Sequence, residues 1–433
     1  METKNSFIGG LIYFRNKPAI GLVRVQELVR RGNSLSLAKS IYVPCDPKEA
    51  FPYLVSLSEI LGWAVGGEDF LFFGDKEILS YFFTHAKEDE GMGNTLAELE
   101  RVLGKEIRFG YLDKEAEDGM NCSPSPFGIR DSGCRIGLDL GGSDLKVVSL
   151  IDGKAVYEKE ILWSPKEATS LSYHREVLAS ALRLASSCLP EVDSIGVSTT
   201  GIVLASSLLS SPLYIGLKGE KEEEKKTLLS SLLSSLFPGV PYRIANDGDV
   251  SALFGKVYSR KDNVLGLSLG TGFASGLLVR GGFSGFMMEL GKAPIDFRPS
   301  APFHAEMKTK GAGSEVFSQK GLLSLAKKSG IVYPGSLPEQ LVSLQEEAGN
   351  GNGIVLSCYK ELGRELGRSI LFYRTLFSFD TVVLLGRVMS GKGGEEILAS
   401  IRKEISSSGL SAFVPGEEKR RLGQAYVAGL LGE

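Results

Sequence analysis

The chain has 433 residues, 43% hydrophobic and 23% charged, with a formal net charge of −3. That length allows two or three domains with sizeable cores, and the charge balance offers no broad basic surface for nucleic acid. The five cysteines (Cys45, Cys122, Cys134, Cys188 and Cys358) are scattered without a CxxC pair, which indicates neither zinc nor a disulfide framework. No apolar run reaches the ~18 residues of a membrane-spanning helix. METKNSFIGGLIYF lacks the basic start and long apolar run of a signal peptide. The expected compartment is therefore the cytoplasm, with reduced thiols.

Residues 1–128 carry no assignable chemical motif. FIGGLIYF reads as a strand and LVRVQELVRR as a helix. EAFPYLVSLSEILGWAVG and TLAELERVLG have helical apolar spacing, and DFLFFG is a strand. RVQELVRRGNSLSLAKSIYV with the next helix has the outline of a winged helix-turn-helix. The segment that would enter a DNA groove, DPKEAFPYLVSLSEI, is acidic on balance and would repel phosphate. A small α/β accessory domain is the favoured reading. DGMNCSPSPFGIRDSG, residues 118–133, has the Ser, Pro and Gly content of a linker.

Residues 135–161, RIGLDLGGSDLKVVSLIDGKAVYEKEI, read as three strands joined by a glycine turn and an Asp152-Gly153 turn. Asp139 precedes Gly141 and Gly142, so backbone N–H groups can cradle a phosphate with Mg²⁺ held nearby. An ordinary hairpin with a buried Asp is the alternative. Downstream come a helix (EVLASALRLASSCL), a strand and loop (SIGVSTTG), and a charged amphipathic helix (EKEEEKKTLLSSLLSSLF). The strand YRIA, the turn Asn246-Asp247-Gly248-Asp249 and the helix VSALFGKV follow. The alternation predicts an α/β fold. LGLSLGTGFASGLLV then repeats the pattern of IGLDLGGSDLKVV, which predicts two duplicated halves. Asp247, at the C-terminal end of a strand, is placed to take a proton from an attacking hydroxyl. Asn246 offers a donor and an acceptor. The alternative is an Asx turn and helix cap, with Asp247 or Asp249 holding the free helix N–H groups.

With these motifs in order, residues 135 to about 430 resemble the ROK sugar kinases and repressors of the actin–hexokinase–Hsp70 ATPase superfamily. The resemblance rests on GLDLGGSDLKVV, Asn246-Asp247, LSLGTGFASGLLV, Glu289 of ELGK, and VVLLGRVMSGKGGEEIL at 382–398. It implies a duplicated, ribonuclease-H-like, two-lobed α/β ATPase fold, with lobes at 129–245 and 246–433 after an accessory domain at 1–128. It implies an ATP-dependent phosphotransferase of the glucokinase or N-acetylhexosamine kinase kind, whose cleft closes on substrate and expels water. Asp247 is then the general base, while Asn246, Glu289, Thr200 and Gly201 contact the sugar. The nucleotide-side set is Asp139, Gly141, Gly142, Ser143, Lys146, Gly270, Thr271, Gly272, Gly386 and Gly391. Asp139 holds Mg²⁺ through water. The expected partners are ATP, Mg²⁺ and a small-molecule sugar, with neither nucleic acid nor membrane, and a homodimer is the assembly to test.

Two departures from the family stand out. Lys292 replaces the His that members use for sugar and zinc, and KAPIDFRPSAPFHAEMKTKGAGSEVFSQKG has no cysteine and a single histidine, His304. No zinc site is expected. Lys292 either favours an anionic or acylated sugar or faces solvent. Glu315 falls near the family's second sugar-binding Glu, or is a charged residue at a helix start. The alternative function is a catalytically weak, sugar- or nucleotide-binding regulator.

Overall fold

The computed structural model describes residues 21–124 and 129–431; the expected strand FIGGLIYF lies outside them. The accessory region builds its own sheet. Strands β1 (Leu22–Arg31) and β2 (Leu35–Pro44) form an antiparallel hairpin, followed by α1 (Pro47–Val65), β3 (Asp69–Phe73), α2 (Lys76–His85), α3 (Glu90–Leu103), β4 (Arg108–Tyr111) and β5 (Gly119–Asn121). The sheet order is β4-β3-β1-β2-β5.

LVRVQELVRR is thus a strand, not the expected helix. Leu22, Val25 and Val29 suit a helical stripe, but Val23, Val25 and Val29 also alternate along a strand, and β-branched residues favour the pleat. Gly32, at φ 59°, turns the chain so that Val25 meets Ile41 and Val29 meets Leu37. The helix-turn-helix outline is lost with that correction. The linker also starts later than its composition suggests, because Gly119–Asn121 pairs with Ser36–Ala38 of β2.

The next sheet is built from β6 (Cys134–Leu140), β7 (Asp144–Ile151), β8 (Lys154–Leu162), β9 (Ser194–Thr199) and β12 (Tyr242–Asn246), in the order β8-β7-β6-β9-β12. Its strands are separated in sequence by α4 (Leu171–Ser186), the small hairpin β10 (Ile202–Leu204) and β11 (Ser207–Ser210), and α5 (Glu222–Leu236). Pairing is antiparallel within β6-β7-β8 and parallel from β6 to β9 to β12. Ile136, Leu138, Leu140 and Val147 form one core with Leu178 and Leu182 of α4 and Leu229 and Leu233 of α5. Val148 and Leu150 pack on the opposite side with Ala425.

After α6 (Asp247–Ser259) come β13 (Val264–Leu269), β14 (Phe273–Val279), β15 (Gly282–Phe283), the small hairpin β16 (Phe303–His304) and β17 (Thr309–Lys310), and helices α7 (Gly313–Val316), α8 (Gln319–Lys328), α9 (Leu337–Gly349) and α10 (Gly353–Arg374). The chain ends with β18 (Thr381–Leu385), α11 (Gly391–Glu404), β19 (Ser411–Phe413) and α12 (Glu417–Gly429). The third large sheet, β15-β14-β13-β18-β19, repeats the strand order of the second, hairpin strands first and crossover strands after. The duplication expected from the two glycine hairpins is therefore present in the topology. Among the described residues, no helix is long and apolar enough to cross a membrane.

The chain divides into two compact units. One takes residues up to Ser123, Leu267–Ser275 and Phe286–Val414; the other takes Pro124–Gly266, Gly276–Gly285 and residues from Pro415 onward. The accessory sheet thus belongs to the same unit as residues 286–414.

Candidate active site

In the unit built on β6, the glycine turn is closed by Gly141 N donating to the Asp144 carbonyl at 2.9 Å. Cross-strand register sets Asp139 opposite Lys146 on one side and Ser198 on the other. Asp139 is buried, and burial raises its carboxyl pKa despite the nearby ammonium. Lys146 Nζ lies 2.6 Å from Asp144 Oδ1 and 3.9 Å from Asp139 Oδ2. Burial opposes the charge on Lys146, but Asp139 and Asp144 together outweigh it and raise its pKa. Ser143 Oγ donates to the other Asp144 oxygen at 3.3 Å.

Three residues here escaped the motif reading. Asp144 is the clearest, being two positions from Lys146 on one strand and therefore on the same face. Trp163 donates from Nε1 to the Gly141 carbonyl at 2.9 Å and fixes the back of the turn. A Cβ placed on Gly142 would stand 3.6 Å from Lys166 Nζ, so a cation borders the exposed side of the turn. Trp163 and Lys166 follow β8, and no local motif links them to residues 141–143.

Asn246 caps α6. Its Oδ1 accepts from Gly248 N at 2.7 Å, and its Nδ2 donates to the Gly201 carbonyl at 2.6 Å. The cap residue is thus Asn246, whereas the alternative reading of the turn places Asp247 or Asp249 on the free helix N–H groups. Asp247 is half-buried in the first turn, and its Oδ1 accepts from Gly248 N at 3.1 Å. Gly201 has φ 122°, and a Cβ there would come within 2.2 Å of the Ser210 carbonyl. Only glycine fits that loop. The neighbouring Thr200 carbonyl accepts from Ser211 Oγ at 2.8 Å. The fold therefore brings Thr200-Gly201 and Asn246-Asp247 side by side.

The other unit carries the remaining candidates. The turn from β13 to β14 is closed by Gly270 N donating to the Gly272 carbonyl at 2.9 Å, and Gln319 N donates to the Gly270 carbonyl at 2.9 Å. Thr271 and Gly272 are exposed, and a Cβ on Gly270 or Gly272 would meet nothing within 4 Å. Gly386 is a different case: at φ 95°, its Cβ would lie 2.3 Å from the Leu269 carbonyl, so close packing explains it. Gly391, φ 64°, opens α11 with nothing within 4 Å of a Cβ.

Glu289 and Lys292 share a turn in which Lys292 N donates to the Glu289 carbonyl at 2.9 Å. Burial raises the Glu289 carboxyl pKa, and Lys292 partly offsets that. Lys292 does not simply face solvent, because its Nζ sits 4.7 Å from the centre of the Trp63 ring. Glu315 is buried in α7 and paired with Lys320 at 2.6 Å. His304 Nδ1 accepts from Met307 N at 3.2 Å. Among the described residues, no group of three His, Cys, Asp or Glu side chains is placed to hold a metal ion directly.

The ROK family model matches residues 135–424. The chain belongs to the ROK family. Its match spans the two repeated sheets and leaves the accessory sheet outside. No curated protein sequence is significantly similar to this ROK chain. Among solved structures, it resembles a ROK glucokinase from Streptomyces griseus in complex with glucose and AMPPNP. The identity is 19% and the TM-score 0.54, over 69% of this chain and 98% of that one. A ROK transcriptional regulator homologous to the E. coli MLC protein matches at 18% identity and TM-score 0.55, over 69% and 78% of the two chains. A ROK protein from Streptococcus pneumoniae in complex with sucrose matches at 16% identity and TM-score 0.50, over 69% and 97%. At such identities the likeness establishes the fold alone, the α/β fold of ROK proteins, here with a further α/β region outside the match.

Proposed function

We propose that this ROK protein transfers the γ-phosphate of Mg-ATP to a hydroxyl of a sugar, with Asp247 as general base. The observation that carries the reading is the empty space around Gly270 and Gly272. Neither position has a Cβ neighbour within 4 Å or a φ that excludes other residues, so the protein's own packing gives no reason for glycine there. A ligand that approaches the backbone does give one. Glycines at an exposed turn between two strands suit phosphate oxygens, and the exposed Gly142-Ser143 turn repeats the arrangement in the other sheet.

Asp139 is buried and stands beyond direct hydrogen-bond reach of Lys146, at 3.9 Å, so it suits Mg²⁺ held through water. Bound Mg-ATP supplies the phosphoryl group and the ion that offsets its charge. The remaining roles belong to this chain. The Gly141–Ser143 and Gly270–Gly272 turns, with Lys166 beside the first, orient phosphate. Thr200, Gly201 and Asn246 form a polar ledge next to Asp247, whose carboxylate accepts the proton of the attacking hydroxyl. Glu289 binds sugar hydroxyls, and Lys292 biases the choice of sugar near it. Gly391, at the start of α11, and Gly386 belong to the adenosine side. Glu315, buried and paired with Lys320, is assigned to the sugar side with it.

The ADP-release assay uses Mg-ATP with a panel of hexoses, N-acetylhexosamines and sugar acids. One sugar should stimulate release, and Asp247→Asn should cut that stimulation by about 10²–10⁴-fold while ATP still raises the melting temperature. If no sugar stimulates release and Asp247→Asn changes nothing, the kinase reading fails. A binding-only regulator is the second reading, prompted by the MLC-like fold relative. It predicts thermal shifts with sugar or nucleotide but no turnover.

A further inference from the structure

The accessory region has no part in the chemistry above, yet it touches the chain at one chemically telling place. Helix α1 ends at Gly66, whose N–H closes on the Gly62 carbonyl in a left-handed cap, φ 64°. The carbonyls of a last helical turn need partners from outside the helix. Here Ala64 O accepts from Met288 N at 2.9 Å and Trp63 O accepts from Glu289 N at 3.0 Å. Arg31 Nη1 donates to Val65 O at 2.9 Å and completes the turn. Two of the helix's terminal carbonyls are therefore spent on the backbone of the proposed sugar-binding residue and the residue before it.

Three further features converge on the same loop. Met288 adopts φ 52°, a conformation that non-glycine residues hold only when their surroundings enforce it. Lys292, three residues past Glu289, lies with Nζ 4.7 Å from the Trp63 ring centre, within cation–π range. Trp63 is itself fixed: it is fully buried, and its Nε1 donates to Thr95 Oγ1 of α3 at 3.3 Å. Thr95 donates on to Glu59 Oε1 at 3.2 Å, and the other Glu59 oxygen accepts from Thr309 Oγ1 at 3.2 Å. Asn94 Nδ2 donates to the Glu306 carbonyl at 3.3 Å. The 288–309 segment is thus held at both ends by α1 and α3.

Resting on the kinase reading, we propose that the accessory region positions the sugar-binding loop, with Trp63 as the residue that sets Glu289 and Lys292 for substrate. Trp63 would not touch the reacting atoms; it acts through the loop. A general stabiliser of the fold would lower the melting temperature without singling out the sugar.

The test uses the full chain. Trp63→Leu removes the ring under Lys292, Trp63→Phe keeps an aromatic face, and Lys292→Met breaks the same contact from the loop side while leaving the core Trp in place, so the test survives if Trp63→Leu does not fold. Hydrogen exchange of the 286–292 amides and steady-state kinetics for sugar and ATP are measured on each. In Trp63→Leu and Lys292→Met, exchange at 288–289 should quicken about tenfold and the sugar KM should rise about 3- to 30-fold. The kcat and the ATP KM of Trp63→Leu should hold within about twofold, and Trp63→Phe should recover most of the sugar KM; for Lys292→Met exchange is the deciding readout, because Lys292 belongs to the proposed sugar site. Unchanged exchange at 288–289 overturns the proposal, as does a fall in kcat with an unchanged sugar KM. If wild type turns over no sugar, the kinase reading fails by itself, and exchange still decides whether the accessory helices hold the loop.

Discussion

Gly272→Ala separates a glycine kept for a ligand from one kept for packing. A methyl at 272 meets nothing within 4 Å and faces no left-handed φ, so the folded state accepts it. The unfolded chain loses freedom, and the variant should be more stable by about 0.4–1 kcal/mol. Gly386→Ala is the internal contrast: φ 95° and a Leu269 carbonyl at 2.3 Å leave no room for the methyl. Backbone strain of about 1–3 kcal/mol and overpacking of about 1–3 kcal/mol should lower its stability by roughly 2–6 kcal/mol. Nucleotide binding should rank the two differently. A methyl on the open side of the 270–272 turn blocks phosphate from the backbone donors, and losing one charge-assisted hydrogen bond costs about 1.5–3 kcal/mol, or roughly 10- to 150-fold in Kd. Urea unfolding gives the stabilities, and calorimetric titration with a non-hydrolysable ATP analogue gives Kd. If Gly272→Ala binds the analogue as wild type does, the turn is not a phosphate cradle and the argument from empty space fails.

Lys146→Met leaves Asp139 and Asp144 buried without the ammonium between them, so urea unfolding at pH 7 should show a loss of about 3–5 kcal/mol. The loss should shrink as the pH falls, because burial already raises the Asp139 carboxyl and the variant removes the ammonium that opposes that rise. Burial pushes Glu59 up from 4.5 to about 7. A carboxyl raised in the folded state stabilises it below the unfolded value and loses that contribution as pH climbs through the folded one. Glu59→Gln should therefore match wild type near pH 4.5 and exceed it by up to about 3 kcal/mol above pH 7; a constant difference across that window refutes the assignment. Asn246→Ala removes the α6 cap and should cost about 1 kcal/mol in thermal unfolding, most of which Asn246→Ser should restore. The serine is too short to reach the Gly201 carbonyl, so any sugar-specific loss should persist in it.

Most of the ROK fold was legible because glycine turns, β-branched alternation and the Asn246-Asp247 turn are local signals. The two hairpins even disclosed the duplication that the strand orders repeat. The accessory strand β1 was misread because its valines satisfy both a helical and an alternating period, and only the partner strand β2 decides between them. Asp144 was within reach of a period-two reading. Trp163 and Lys166 were not, because their place at the Gly141-Gly142 turn depends on where β8 delivers the chain. Trp63 was harder still: its link to Lys292 spans more than half the chain and leaves no trace in local pattern.

The last helix carries a consequence for synthesis. A Cβ on Gly137 or Gly196 would come within 2.0 Å or 1.8 Å of the Ala425 or Ala428 carbonyl, so α12 lies directly against β6 and β9. Arg135, at the start of β6, reaches the Gly429 carbonyl across 294 positions of sequence. At ~5–20 residues per second, a ribosome takes on the order of 15–60 s to travel that distance. For that interval β6 and its neighbours lack the helix that covers one of their faces. The nascent protein is therefore most vulnerable to aggregation and to chaperone capture after β6 and its neighbours have emerged and before α12 has, and a stop codon a few residues short of α12 would extend that exposure indefinitely.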